Sequence, residues 1–140
     1  MLASEPQKNQ QRGELFAVAC PSRKVLQNVT SRWGVLVLVA LMSGTYRFSE
    51  LRRKIGGVSE KMLAQTLQAL EADGFVLRTA FPVVPPHVEY SLTRMGHEVA
   101  HEVESLADWI EGNLYRIMQQ RRANGPVGDA ERDLASGTAS

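Results

Sequence analysis

The chain has 140 residues, room for one domain plus tails, and its 44% hydrophobic and 22% charged content suits an ordinary soluble globular protein. One cysteine, Cys20, excludes an intrachain disulfide framework and fits a reducing, cytoplasmic compartment. The net charge of +1 hides a gradient: Ser22 to Arg94 holds ten Lys/Arg against five Asp/Glu, and Met95 to Ser140 holds four against eight.

Positive charge gathered in mid-chain favours a polyanionic partner such as DNA, because each phosphate contact releases condensed counterions. An accidental gradient would give the same figures.

Residues 1–14 read as a disordered polar arm. Met1 to Gln11 has no apolar segment of the kind a secretory leader needs. Ser22 is placed to cap a helix from Arg23 to about Thr30, with Val25, Leu26 and Val29 on one side. A second helix, from about Trp33 to Met42, is apolar nearly all round and is the expected buried spine; Ser43-Gly44 ends it. Its apolar run, Val35 to Met42, is too short to cross a bilayer, so no membrane association is expected. Tyr46-Arg47-Phe48 is a short extended piece.

Ser49 then caps a short helix, Glu50 to Ile55. Gly56-Gly57 turns the chain, Ser59 caps the next helix, Glu60 to about Asp73, and Gly74 stops it. Helix, glycine turn and helix are the spacing of a helix-turn-helix. Phe75 to Phe81 and His87 to Leu92 read as strands joined by the proline-rich Pro82 to Pro86. A hairpin in that place is a wing. Thr93 caps a last helix, from Arg94 to about Arg122, and residues 123–140 read as a disordered tail. The expected fold is mainly α with a small β-hairpin wing, a winged helix-turn-helix domain with a long C-terminal dimerisation helix.

In the Ser59-to-Asp73 segment, Leu63, Leu67 and Leu70 share one face. Lys61, Gln65 and Gln68 point elsewhere, with Ser59 and Glu60 at the N-terminal end. An apolar back and a polar front are what a DNA-recognition helix needs. Gln can pair bidentately with adenine, and Lys reaches guanine or phosphate. A plain amphipathic surface helix has the same pattern. Arg52, Arg53 and Lys54 on the preceding helix are placed to grip flanking phosphates, or form a solvated charged face. In the wing, Arg78 and His87 are candidates for minor-groove or phosphate contact, with Thr79 and Tyr90 behind them.

These pieces together resemble the HxlR-type family of bacterial winged helix-turn-helix regulators, relatives of the MarR group. The resemblance begins at Cys20-Pro21 and continues through Arg32-Trp33, then Arg47-Phe48-Ser49-Glu50-Leu51-Arg52-Arg53. It takes in Gly57-Val58-Ser59, Met62-Leu63 and Leu70-Glu71-Ala72-Asp73-Gly74. It closes with Pro85-Pro86-His87-Val88-Glu89-Tyr90-Ser91-Leu92-Thr93 and Gly96. It covers roughly residues 19–118, the expected domain, and the order and spacing of its pieces are specific. It implies a DNA-binding homodimer that often represses its target, on a pseudo-palindromic operator.

The last helix carries Met95, Val99, Val103, Leu106, Ile110, Leu114 and Ile117 at steps of three and four, widened by Trp109 and Met118. One small domain does not cover so long a stripe. Val99, Val103, Leu106, Trp109, Ile110 and Leu114 are therefore the expected dimer interface. The alternative is a helix folded back on its own core. Gly112 is a weak point within this helix.

Two further features carry chemistry. His97-Glu98-Val99-Ala100-His101 fits the zinc-hydrolase pattern H-E-x-x-H. No histidine follows His101, and the nearby acids on the same helix are poorly placed as a third ligand, so neither metal, cofactor nor catalysis is expected. A zinc hydrolase and a protein-binding module without DNA binding remain the alternative functions. Cys20 precedes a helix start and two cations, Arg23 and Lys24, and both features lower a thiol pKa. Several members of the resembled family sense oxidants or electrophiles with a cysteine here, which makes Cys20 a candidate sensor. An inert, half-buried side chain is the other reading.

Overall fold

The computed structural model describes residues 13–125. The expected arm over 1–14 and tail over 123–140 lie outside the described residues, save for 13–14 and 123–125. The last three continue a helix. The chain divides into two compact units, one ending at Glu104 and the other starting at Ser105.

In the first unit, α1 spans Pro21–Thr30 and α2 spans Arg32–Leu41. Pro21 opens α1, where its locked φ is already helical and its missing N–H costs nothing. The N-cap is therefore Cys20 rather than the expected Ser22. Ser31 caps α2 by accepting a hydrogen bond from the Gly34 N–H. The end of α2 frays through backbone bonds from Ser43 to Ala40 and from Gly44 to Leu41.

The two-residue strand β1, Tyr46–Arg47, leads directly into α3, Phe48–Ile55. Helix α3 starts two residues before the expected Glu50, because the Glu50 carboxylate accepts the Arg47 backbone N–H at 2.8 Å. Helix α4 spans Glu60–Ala72, and Gly74 at φ +85 turns the chain out of it. Strands β2, Val76–Phe81, and β3, His87–Leu92, form the wing. Strand β1 joins it, giving a three-stranded antiparallel sheet in the order β1-β3-β2, with Tyr46 opposite Tyr90 and Val76 opposite Leu92.

Helix α5 spans Arg94–Gly112, its start capped by the Thr93 hydroxyl on the Gly96 N–H. The continuous helix expected to Arg122 is interrupted: Asn113 forms a turn and helix α6 follows over 114–125. At the turn the Asn113 side-chain amide donates to the Trp109 carbonyl at 2.8 Å.

The core of the first unit is apolar throughout, with no buried polar residue among those described. Val37, Leu38 and Leu41 of α2 meet Leu51 of α3 and Leu63, Leu67 and Leu70 of α4. Val76, Leu92, Ala100 and Val103 complete it. Val103 is 6% exposed within a single chain, so it has no surface left for a partner and leaves the expected dimer interface. Gly96 lets α5 approach the wing, since a Cβ there would lie 1.9 Å from the Phe75 carbonyl oxygen.

Candidate nucleic-acid interface

The turn between α3 and α4 is built around two left-handed glycines, Gly56 at φ +72 and Gly57 at φ +78. Arg52 braces it. Its Nε donates to the Val58 carbonyl at 3.1 Å, and its guanidinium pairs with Glu60 at 3.3 Å. Two residues expected to face DNA are thus engaged with each other across the turn. Ser59 accepts the Met62 N–H as the α4 cap.

Leu63, Leu67 and Leu70 fix the back of α4 in the core and leave Lys61, Gln65 and Gln68 exposed on the front. Arg53 is exposed and makes no hydrogen bond or ion pair among the described residues. It lines an open hollow of about 580 Å³ together with Ser49, Gly57 and Ser59. The Lys54 ammonium lies 6.0 Å from the Tyr46 ring centroid. Arg53 and the N-terminus of α4 thus line one open hollow, and the polar front of α4 is exposed along the same helix.

The wing adds Arg78, which shares a cleft with Gln68, Glu71 and Tyr90 beside α4. Thr79 stands opposite Glu89 in the hairpin. His87 is half-buried at the start of β3. Arg47 meets its Nδ1, Glu89 meets its Nε2 at 2.5 Å, and the Phe81 ring packs edge-on at 5.0 Å. Sequence reasoning placed His87 on DNA and missed Arg47 and Glu89. Their trace was Arg47 within one extended piece and Glu89 two residues from His87 in another, both inside the stretches that carry the family resemblance.

Cys20 is partly exposed at the N-cap of α1. Its thiol is held below the ordinary value, chiefly by a hydrogen bond with the Ser22 side chain; partial burial opposes this, and backbone N–H groups of Ser22, Glu14 and Arg23 assist. The Glu14 N–H lies 3.1 Å from Sγ. Of the two expected causes, the helix start contributes through its backbone N–H groups, and the charges of Arg23 and Lys24 do not enter. An apolar groove of about 520 Å³ lies nearby along α1, lined by Leu15, Pro21, Val25, Leu26, Val29 and Val99.

In the second unit, Leu106, Trp109, Ile110 and Leu114 stand in water, Leu106 at 53% and Trp109 at 57% exposure. His97 and His101 are both exposed on α5, and among the described residues no three His, Cys, Asp or Glu side chains gather as a metal site. Among the described residues, no helix is long and apolar enough to cross a membrane.

The profile of the HxlR-like helix-turn-helix family matches residues 28–118, from the end of α1 into α6. The chain belongs to the HxlR-like helix-turn-helix family. The HTH-type transcriptional regulator YtfH of Escherichia coli K12 is 70% identical over 109 residues, 78% of this chain and 86% of its own. A transcriptional regulator ytfH from Salmonella typhimurium has a solved structure that superposes with a TM-score of 0.76 at 68% identity, covering 79% of this chain and 99% of that one. The redox regulator HypR in its reduced form superposes at 0.65 with 33% identity, covering 71% and 98%. The protein is accordingly a winged helix-turn-helix transcriptional regulator. Its relatives give the zinc-hydrolase alternative no support.

Proposed function

We propose that this regulator acts in the cytoplasm as a homodimer on a pseudo-palindromic double-stranded operator, as a repressor, with α4 of each protomer in a major groove. The observation that carries this reading is the division of α4 into a buried leucine back and an exposed Lys61, Gln65 and Gln68 front. A groove about 12 Å wide admits one helix in this orientation. Gln65 and Gln68 read base edges, Lys61 reaches base or phosphate, and Arg53, Lys54 and Arg78 hold the backbone. Arg52, Glu60, Ser59 and His87 serve by fixing the turn, the cap and the wing.

Two protomers place two recognition helices at half-sites roughly 34 Å apart, one helical turn or a multiple of it. The exposed Leu106, Trp109, Ile110 and Leu114 supply the dimer contact, and the groove along α1 that includes Val99 is its seat in the partner. Titration onto random duplex tests the DNA reading, since a DNA binder loses affinity steeply with salt and a protein-binding module does not.

Cys20 responds in this reading to oxidants or electrophiles. The supporting observation is its hydrogen-bonded, lowered-pKa thiol at a helix start, beside the likeness to a redox regulator. It is the single cysteine of the 140-residue sequence, so any protein disulfide joins two chains.

A further inference from the structure

Helix α4 has two flanks as well as a front. With side chains it is 10–12 Å across, nearly the width of the major groove, so each flank lies along one of the two phosphate ridges. On one flank, Ala64, Gln68 and Glu71 form a cleft of about 360 Å³ with the wing's Arg78 and Tyr90. On the other, Met62, Gln65 and Thr66 form a cleft of about 410 Å³ with Lys24 and Gln27 of α1. Lys24 is exposed and makes no hydrogen bond or ion pair among the described residues. The wing-side cleft contains the carboxylate of Glu71 beside Arg78, whereas the residues lining the α1-side cleft include no acid. Helix α1 is fastened there by Asn28, whose side-chain amide donates to the Asp73 carboxylate at 2.8 Å.

We infer that Lys24 is a further DNA-backbone contact, gripping the phosphate ridge on the side of α4 opposite the wing. This rests on the major-groove placement of α4 proposed above. The two ridges are then each met by one cation, Arg78 on the wing side and Lys24 on the α1 side. Gln27, one turn along the same face of α1, donates to the same strand. The contact reads no bases, so it acts on every sequence alike. It also places a DNA contact four residues from Cys20 on one short helix.

The test is anisotropy titration of the full chain on a random-sequence duplex across a range of salt. Lys24→Ala should weaken binding and reduce the steepness of the log-log salt dependence by about one, the loss of one phosphate contact. Lys24→Arg should restore it. Arg23→Gln removes the same charge one residue away, where the guanidinium reaches the Phe16 carbonyl, and should leave the slope nearly unchanged. Thermal melting of each variant confirms folding. Equal losses for Lys24→Ala and Arg23→Gln would overturn the inference, reducing it to a net-charge effect. So would an unchanged Lys24→Ala in a protein whose Arg53→Ala variant loses slope. A wild type with no salt dependence on duplex would instead overturn the DNA reading itself.

Discussion

Asn28 donates a 2.8 Å hydrogen bond to Asp73, joining the last turn of α1 to the C-cap of α4 across 45 residues of chain. The bond is partly buried and ties the helix that begins at Cys20 to the helix with the exposed Gln65 front. Asn28→Ala leaves the Asp73 carboxylate short of a donor and should cost about 1 kcal/mol, read as a lower denaturant midpoint at unchanged m-value. A variant as stable as wild type would show that the bond does not hold α1 in place.

Two glycines on α5 make opposite predictions. At Gly96 a Cβ meets the Phe75 carbonyl oxygen at 1.9 Å, whereas at Gly112 nothing lies within 4 Å. Gly96→Ala should destabilise by about 1–3 kcal/mol through overpacking. Gly112→Ala should be neutral or stabilise by up to about 1 kcal/mol through helix propensity. Chemical denaturation of the two variants checks both signs.

Leu106→Asp sets a carboxylate on the exposed stripe. In a dimer interface that charge is buried unpaired, a cost of several kcal/mol. Sedimentation should find a monomer, and affinity for duplex should collapse with it. A variant that stays dimeric, or a monomeric wild type at micromolar concentration, removes this surface from the dimer account.

For Cys20, the hydrogen bond with Ser22 stabilises the thiolate, so more thiolate is present at a given pH than in a free cysteine. Its alkylation rate should reach half-maximum at a lower pH than that of a free thiol, and Ser22→Ala should move the midpoint back up. Diamide should lower operator affinity of wild type reversibly and leave Cys20→Ser unaffected. Equal responses from the two proteins would leave Cys20 a packing residue.

Most of the element order was legible because each element announces itself locally. The Leu63, Leu67 and Leu70 spacing marks α4, Gly56-Gly57 marks the turn, and the prolines between Phe81 and His87 mark the wing tip. What escaped was a local cap and a pairing between distant segments. Helix α3 begins at Phe48 because Glu50 reaches back to Arg47, and β1 is a strand because Tyr46 and Arg47 find Tyr90 and Glu89. The stripe on the last helix gave no sign of where its own core ends, so Val103 and Leu106 looked alike. One is buried and the other stands in water. In the site, type and spacing named both Arg52 and Arg53, but charge alone did not show that Arg52 braces the turn.

The central claim is that the front of α4 reads sequence while Arg53 holds backbone. It is tested most directly by titrating Gln65→Ala and Arg53→Ala on an operator selected from random duplex and on its scrambled counterpart. Gln65→Ala should lose about 1–3 kcal/mol on the operator and almost nothing on the scrambled duplex, while Arg53→Ala should weaken both equally and flatten the salt dependence by about one. Unchanged affinities for both variants on both duplexes would contradict the assignment of α4 as the recognition helix.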